Sequence, residues 1–234
     1  MKRSYTVVLE GATYEGSVAV LRDGDGRAEV VAERTLMSDD AGVPRAGKRD
    51  RLMPAVAECL DEVGVDRTDI ARIVCGSGPG SFTSLRVAGS VAKGLAAGYG
   101  VDLYAVSSLL LTVAGARPPL PQGGEYLSVL DAMRGEFYSA RITLRPGGLA
   151  VQAELPVLVT AAELPDIRAR EPALRIIGPG QEIDAHPHAR GAASILQQIV
   201  DSGPVDLASW EPDYGRLAEA QVRWEAAHGR PLTT

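Results

Sequence analysis

Two groups of residues have types and spacings that could do chemistry. The first is Gly76-Ser77-Gly78-Pro79-Gly80-Ser81. Glycine and proline at that density force a tight turn, and Ser81 is suited to begin the helix that should follow. Free backbone N–H groups at such a point can hold an anion, so Gly78, Gly80 and Ser81 could cradle a phosphate. The same residues also describe a plain strand-to-helix turn with no ligand. The spacing is not G-x-G-x-x-G, and Lys93 lies a full helix away, so neither nucleotide-binding fingerprint is met. The second group is Glu10 and Asp131, which close similar apolar runs, Val8-Leu9-Glu10 and Val129-Leu130-Asp131. On equivalent strands of a duplicated fold they would face each other across a cleft, an arrangement suited to metal-assisted phosphoryl transfer. Against this, Ala132-Met133 follow Asp131 where a phosphate would need glycines. Glu10, Gly78, Gly80, Ser81 and Asp131 together form a candidate anion or nucleotide site.

Other chemistries are poorly supplied. No G-x-S-x-G elbow occurs, and His186, His188 and His228 all lie after residue 185. A histidine-ligated zinc or iron centre is therefore not expected in the first two-thirds of the chain. His186-Pro187-His188 reads as a loop with both imidazoles solvated. Cys59 and Cys75 lack C-x-x-C spacing and sit in apolar segments, as buried thiols of a reducing compartment do. Arg45, Lys48, Arg49 and Arg51 form a basic cluster, either a solvated face or a contact to a partner or RNA.

The segment after the glycine-rich turn offers a surface. Ser84, Ala88, Ala92 and Ala96 recur every fourth residue and form one row of small side chains on a helix, widened by Gly89, Ser90, Gly94 and Ala97. Gly89 and Gly94 each weaken a helix by roughly 1 kcal/mol relative to Ala, a cost that close packing would offset. The neighbour is either the chain's own sheet or a helix of another chain. An apolar row of Leu52, Val56 and Leu60 on a second expected helix, 50–63, points the same way.

Strands are expected at 5–9, 17–21 and 28–34, with Asp23-Gly24-Asp25-Gly26 turning between the last two. Helix 50–63 should tolerate Pro54 only in its first turns and stop at Gly64. Strand 70–75, helix 81–97 ending at Gly98, strand 101–106 and helix 107–115 follow. Beyond the Pro- and Gly-rich stretch 116–125 the pattern restarts: strands at 126–130, 137–144 and 151–159, helix 161–169, strand 174–177, then helices 189–201 and 215–227. Three strands leading into strand–helix units imply a mixed sheet flanked by helices, and the restart implies a duplication, with lobes 1–115 and 116–234. The last helix is placed in the second lobe, with the option of packing back on the first. The 234 residues are 45% hydrophobic and 23% charged, which excludes global disorder, and 26 glycines with 15 prolines imply many turns. A net charge of −6 argues against holding nucleic acid unaided through a basic surface. No apolar run nears the roughly 20 residues of a membrane span, and Glu10 interrupts the first apolar run too early for a signal peptide. A cytoplasmic protein is expected.

Gly78-Pro79-Gly80-Ser81-Phe82-Thr83-Ser84-Leu85-Arg86, with Ala92-Lys93-Gly94-Leu95 further along, resembles the TsaB family of bacterial tRNA threonylcarbamoyladenosine biosynthesis. The similarity extends through Leu52-Met53-Pro54-Ala55-Val56, Ala105-Val106-Ser107-Ser108-Leu109, Asp131-Ala132-Met133-Arg134-Gly135-Glu136-Phe137-Tyr138 and Glu211-Pro212-Asp213-Tyr214. It implies an α/β protein of two ribonuclease-H-like lobes with the actin-like (ASKHA) fold. It implies a non-catalytic subunit without cofactor that supports TsaD in threonylcarbamoyl transfer to adenosine 37 of tRNA. TsaE would join the larger complex, and tRNA would be met only through it. The expected partner surface is Leu52, Val56, Leu60, Ser84, Leu85, Ala88, Ala92 and Ala96, which a free homodimer could share. Where the catalytic paralogue carries a metal-binding His-x-x-x-His, this chain has Ser108 and Thr112, so no metal is expected. Glu10-Gly11-Ala12 stands where the family usually has Asp-Thr-Ser, and Ser84 where it has glycine; both weigh against nucleotide binding. The alternative is an actin-like ATPase or kinase with degenerate phosphate loops.

Overall fold

A computed structural model describes residues 4–24, 28–36 and 51–215. In chain order the elements are β1 (Tyr5–Glu10), β2 (Gly16–Asp23), β3 (Ala28–Leu36), α1 (Leu52–Val63), β4 (Ile70–Gly76), α2 (Phe82–Tyr99), β5 (Asp102–Val106) and α3 (Ser108–Ala114). Then come β6 (Glu125–Asp131), β7 (Glu136–Leu144), β8 (Ala150–Gln152), β9 (Val157–Thr160), α4 (Glu163–Arg170), β10 (Arg175–Gly178), β11 (Ile183–Asp184) and α5 (Ala192–Asp201). The first sheet runs β3-β2-β1-β4-β5 and the second β8-β7-β6-β10-β11, so the same order is built twice. β1 pairs antiparallel with β2 and parallel with β4; β6 does the same with β7 and β10. Two mixed sheets flanked by helices are thus present, as the repeated sequence pattern implies.

Local chemistry accounts for most element ends. Pro54 lies in the first turn of α1, where its missing N–H costs nothing, and Gly64 closes that helix in the left-handed region at φ 68°. α2 does not stop at Gly98. It continues to Tyr99 and is closed by left-handed Gly100. The single strand expected at 151–159 is two strands, β8 and β9, both paired with β7, because Pro156 has no N–H to give a ladder. The tip of the β2–β3 hairpin, Arg45, Lys48 and Arg49 of the basic cluster, and all of the closing helix 215–227 except Gly215 lie outside the described residues.

Among the described residues, three apolar clusters form the core. α1 and α2 cover one face of the first sheet, where Leu52, Ala55, Val56, Cys59, Ala88, Ala92 and Ala96 meet Val7, Leu9, Val18, Val20, Ile70 and Ile73. On the other face α3 is shared by both sheets: Leu109, Leu110 and Leu111 join Val8, Leu21 and Val74 to Tyr126, Leu130, Tyr138 and Ile177, with α5 behind. α4 covers Leu127, Val129 and Ile176 of the second sheet. Among the described residues, no helix is long and apolar enough to cross a membrane.

This packing corrects the expected partner surface. Leu52, Val56, Leu60, Ser84, Leu85, Ala88, Ala92 and Ala96 are all buried, Ala88, Ala92 and Ala96 completely. The row of small residues faces inward because α2 must pass close over the loop after β1. A Cβ at Gly11 would stand 2.7 Å from that of Ala88. Gly89 also has an intrachain neighbour, since a Cβ there would meet Pro212 at 3.0 Å. We therefore expect Ala88→Arg to fail as a folded protein, because it forces a long charged side chain into a fully buried position packed against the loop after β1. Far-UV circular dichroism and soluble yield measure this, and a folded, soluble variant with parental melting contradicts the inward placement.

Candidate functional site

The carboxyl ends of β1, β4 and β5 converge on the start of α3, and Glu10 lies at that point, fully buried. Its Oε1 accepts the Ala12 N–H at 2.5 Å, and its oxygens accept the Ser108 hydroxyl at 2.9 and 3.2 Å. The Ser108 oxygen in turn accepts the Gly78 N–H at 3.1 Å. Gly76 must be glycine here, because a Cβ would collide with the Glu10 carboxylate. Burial pushes the Glu10 carboxyl up to about 7, against the hydrogen bonds from Ala12, Ser108 and Gly11 that favour its ionised form. Burial also pushes the neighbouring Cys75 thiol up, with Glu10 adding to the effect, and raises the Cys59 thiol to about 11. Neither sulfur is a ready nucleophile.

Three N–H groups of the glycine-rich turn are engaged within the chain. Ser77 N–H donates to Val106 O at 2.7 Å, Gly78 N–H to Ser108, and Ser81 N–H to Ala12 O at 2.7 Å. These donors are spent inside the chain. Gly80 is needed because a Cβ there would strike the Ala12 carbonyl. Ser81 occupies the residue before α2 but its hydroxyl bonds Ser84 Oγ at 3.1 Å rather than a backbone N–H.

The end of the described chain closes over this turn. Asp213 N–H donates to Ser77 O at 2.7 Å, and a Cβ at Gly78 would collide with the Asp213 carbonyl. The Tyr214 ring stands 4.6 Å from Phe82, Lys93 Nζ donates to Trp210 O at 2.8 Å, and the Tyr138 hydroxyl donates to Tyr214 O at 3.1 Å. Glu211-Pro212-Asp213-Tyr214 carries no local signal of this role in the sequence beyond the distant run of glycines that some neighbour must fill.

Asp131 departs from its expected pairing. Its Oδ1 accepts the Met133 N–H at 2.7 Å, the same two-residue turn that Glu10 makes with Ala12, but Asp131 is exposed whereas Glu10 is sealed. Two acids facing each other across an open cleft are not what these burials describe. His188 is likewise not a solvated loop residue. It is 5% exposed, its Nδ1 accepts the Arg190 N–H at 3.1 Å, and its Nε2–H therefore donates to Thr35 Oγ1 at 2.9 Å. Burial, with Arg190 and Arg117 nearby, lowers its pKa to about 3. Next to it the backbone N–H of Ala189 donates to Ser17 Oγ at 3.0 Å, so this segment pins the second half of the chain to β2 and β3.

The positions matching the paralogue's metal pair do not fit a metal. Ser108 and Thr112 are fully buried, with one hydroxyl given to Glu10 and the other to the Ser108 carbonyl at 3.0 Å. Among the described residues, no group of three His, Cys, Asp or Glu side chains is placed to hold a metal ion.

Glu10 and His188 couple folding to pH with opposite signs. His188 is held neutral, so its contribution is complete above its ordinary 6.5 and is lost as pH falls towards 3, the unfolded chain taking the proton first. The contribution of Glu10 is complete below its ordinary 4.5 and is lost as pH rises through 7, because the unfolded carboxyl ionises first. Between those limits each slope is at most about 1.4 kcal/mol per pH unit, and the two oppose each other. Glu10→Gln is expected to match the parent near pH 4.5 and to exceed it above pH 7 by on the order of 3 kcal/mol. Denaturant unfolding at pH 4.5, 6 and 8 measures this, and equal stabilities at pH 8 contradict it.

Comparison with known proteins agrees with this architecture. The family model for TsaD, "tRNA N6-adenosine threonylcarbamoyltransferase", matches residues 42–155. The tRNA threonylcarbamoyladenosine biosynthesis protein TsaB of Bacillus subtilis is 24% identical over 93% of this chain and 96% of its own length. The Escherichia coli protein of the same name is 35% identical over 61% of this chain and 57% of its own length. A crystallised Pseudomonas aeruginosa protein, itself noted for similarity to peptidase YeaZ, superposes with a TM-score of 0.73 at 26% identity, covering 91% of this chain and all of the other. The doubled mixed sheet, the Gly-Pro-Gly-Ser-Phe-Thr turn and these relatives lead to one assignment: the chain belongs to the TsaB family.

Proposed function

We propose that this chain is the non-catalytic partner of TsaD, supporting threonylcarbamoyl transfer to adenosine 37 of tRNA. The family assignment supports the pathway, and the outward face of α2 supports the mode of assembly. Thr83, Arg86, Ser90, Gly94, Ala97 and Gly98 are exposed along that helix, and a Cβ at Gly94 or Gly98 would meet nothing within 4 Å. A second row of small residues thus lies opposite the buried one. Met53 of α1 and Phe82 at the start of α2 are exposed beside it. Because residues 42–155 match the TsaD model, a TsaD lobe carries corresponding helices, and two from each chain can pack as a four-helix bundle with close backbone approach. The same face serves a homodimer when TsaD is absent. TsaE joins through the pair, tRNA is met only by the assembly, and the chain works in the cytoplasm as lobes 1–115 and 116–234.

Catalytic readings have less support. A kinase or ATPase needs free N–H groups at the glycine-rich turn, and those of Ser77, Gly78 and Ser81 are engaged. A thiol peptidase needs an accessible, ionisable cysteine, and Cys59 and Cys75 are buried with raised pKa values.

Gly94→Arg is the decisive variant. Replacing an exposed helical glycine should leave the melting temperature unchanged or raise it, by up to roughly 1 kcal/mol of helix propensity. The same change blocks close approach and should weaken co-purification with TsaD of the same organism at least about tenfold. A folded Gly94→Arg chain that binds TsaD like the parent removes this face from the assembly. A parent chain that does not bind TsaD at all removes the function.

A further inference from the structure

α2 has a different neighbour on each side. Phe82, Arg86, Gly89 and Lys93 recur at three- and four-residue steps and form one row along the helix. Segment 210–214 lies along this row: the Tyr214 ring packs on Phe82, a Cβ at Gly89 would meet Pro212 at 3.0 Å, and Lys93 Nζ donates to Trp210 O. On the opposite flank Ser84 and Val87 share a hollow with Gly11, Tyr14 and Leu52, the first residue of α1. The exposed row of Thr83, Ser90, Gly94 and Ala97 runs between these flanks as an open strip, bordered by α1 on one side and by segment 210–214 on the other. Its two ends differ. At the far end Gly94 and Gly98 are exposed and present no side chain. At the end where α1 and α2 begin stand Tyr14, Met53 and Phe82, which are 65%, 46% and 37% exposed. Tyr14 belongs to neither helix; the turn between β1 and β2 carries it there.

A strip of small residues lets another backbone come close but buries little apolar area, so the affinity of a helix packed on it must come from larger side chains at its border. Aromatic and methionine side chains gathered at one end supply that area. We propose that Tyr14, with Met53 and Phe82 beside it, is the anchor that TsaD buries when its helices pack on the open row of α2. The proposal rests on the TsaD reading above. It adds a residue outside both helices and a polarity: the apolar end of the strip holds the partner, and the glycine end admits its backbone. TsaD must present an apolar surface at that end, because the Tyr14 ring rather than its hydroxyl supplies the buried area.

The test titrates purified TsaD of the same organism against full-length parent, Tyr14→Ser, Tyr14→Phe, Gly94→Arg and Leu155→Ser, and records the melting temperature of each variant. Tyr14→Ser should weaken binding at least about tenfold, and Tyr14→Phe should restore it to within about twofold of the parent. The melting temperature of Tyr14→Ser should stay within about 2 °C of the parent, as for other exposed positions. Leu155, 86% exposed in the second lobe, is the control for apolar surface in general, and Leu155→Ser should bind like the parent. Tyr14→Ser binding like the parent while Gly94→Arg fails to bind overturns the anchor and leaves the docking face standing. Gly94→Arg binding like the parent overturns the docking face, and the anchor with it. Equal losses in Tyr14→Ser and Leu155→Ser also overturn the anchor. If Tyr14→Ser melts well below the parent, Met53→Ser is read in its place: a loss of at least about tenfold supports the proposal, and parental affinity overturns it.

Discussion

Burying the Glu10 carboxylate obliges its surroundings to satisfy it, because an unpaired buried charge costs several kcal/mol. The obligation explains features that would otherwise look unrelated. The Ser108 hydroxyl at the start of α3 bridges Glu10 to the glycine-rich turn. Gly76 is bare to admit the carboxylate. The loop after β1 turns back so that Ala12 can donate to Glu10 and accept from Ser81, which draws α2 tight against Gly11. Small residues on α2 are then needed for the helix to lie that close.

The two halves use one topology for different ends. In the first, the strand-end acid is sealed and two helices cover the outer face of the sheet. In the second, the corresponding acid is exposed and the short α4 covers only a small cluster. α3 joins them by burying Leu109, Leu110 and Leu111 in a core that both sheets share.

Much of this was legible in the sequence where physics is local. Apolar runs such as Tyr5–Glu10, the helical period of Leu52–Val63 and the Gly64 stop name their elements unaided. What depends on distant neighbours was not. α2 carries small residues on both faces, Ser84, Ala88, Ala92 and Ala96 on one and Ser90, Gly94 and Ala97 on the other, and composition cannot say which side meets the sheet. The close approach of Gly11 and Pro212 decides it, and both lie far from α2 in sequence. Nothing in the sequence near His188 reveals its burial, because its partner Thr35 is 153 positions away. The engagement of the turn was hidden for a related reason: the N–H groups of Ser77, Gly78 and Ser81 meet Val106, Ser108 and Ala12, acceptors that only the folded chain brings near.

The segment from Trp210 to Gly215 has a consequence for the order of folding. It bonds Ser77, packs on Phe82 and rests against Tyr138, so it latches the glycine-rich turn of the first sheet to a strand of the second. Synthesis runs from the N-terminus, and long-range closures come late because loop entropy must be overcome first. The first sheet can therefore pair its strands well before its own turn is locked. Until the latch arrives, the turn is held only by bonds within the first half, and the native geometry of the earlier-made sheet is completed by residues synthesised after the whole of the second sheet.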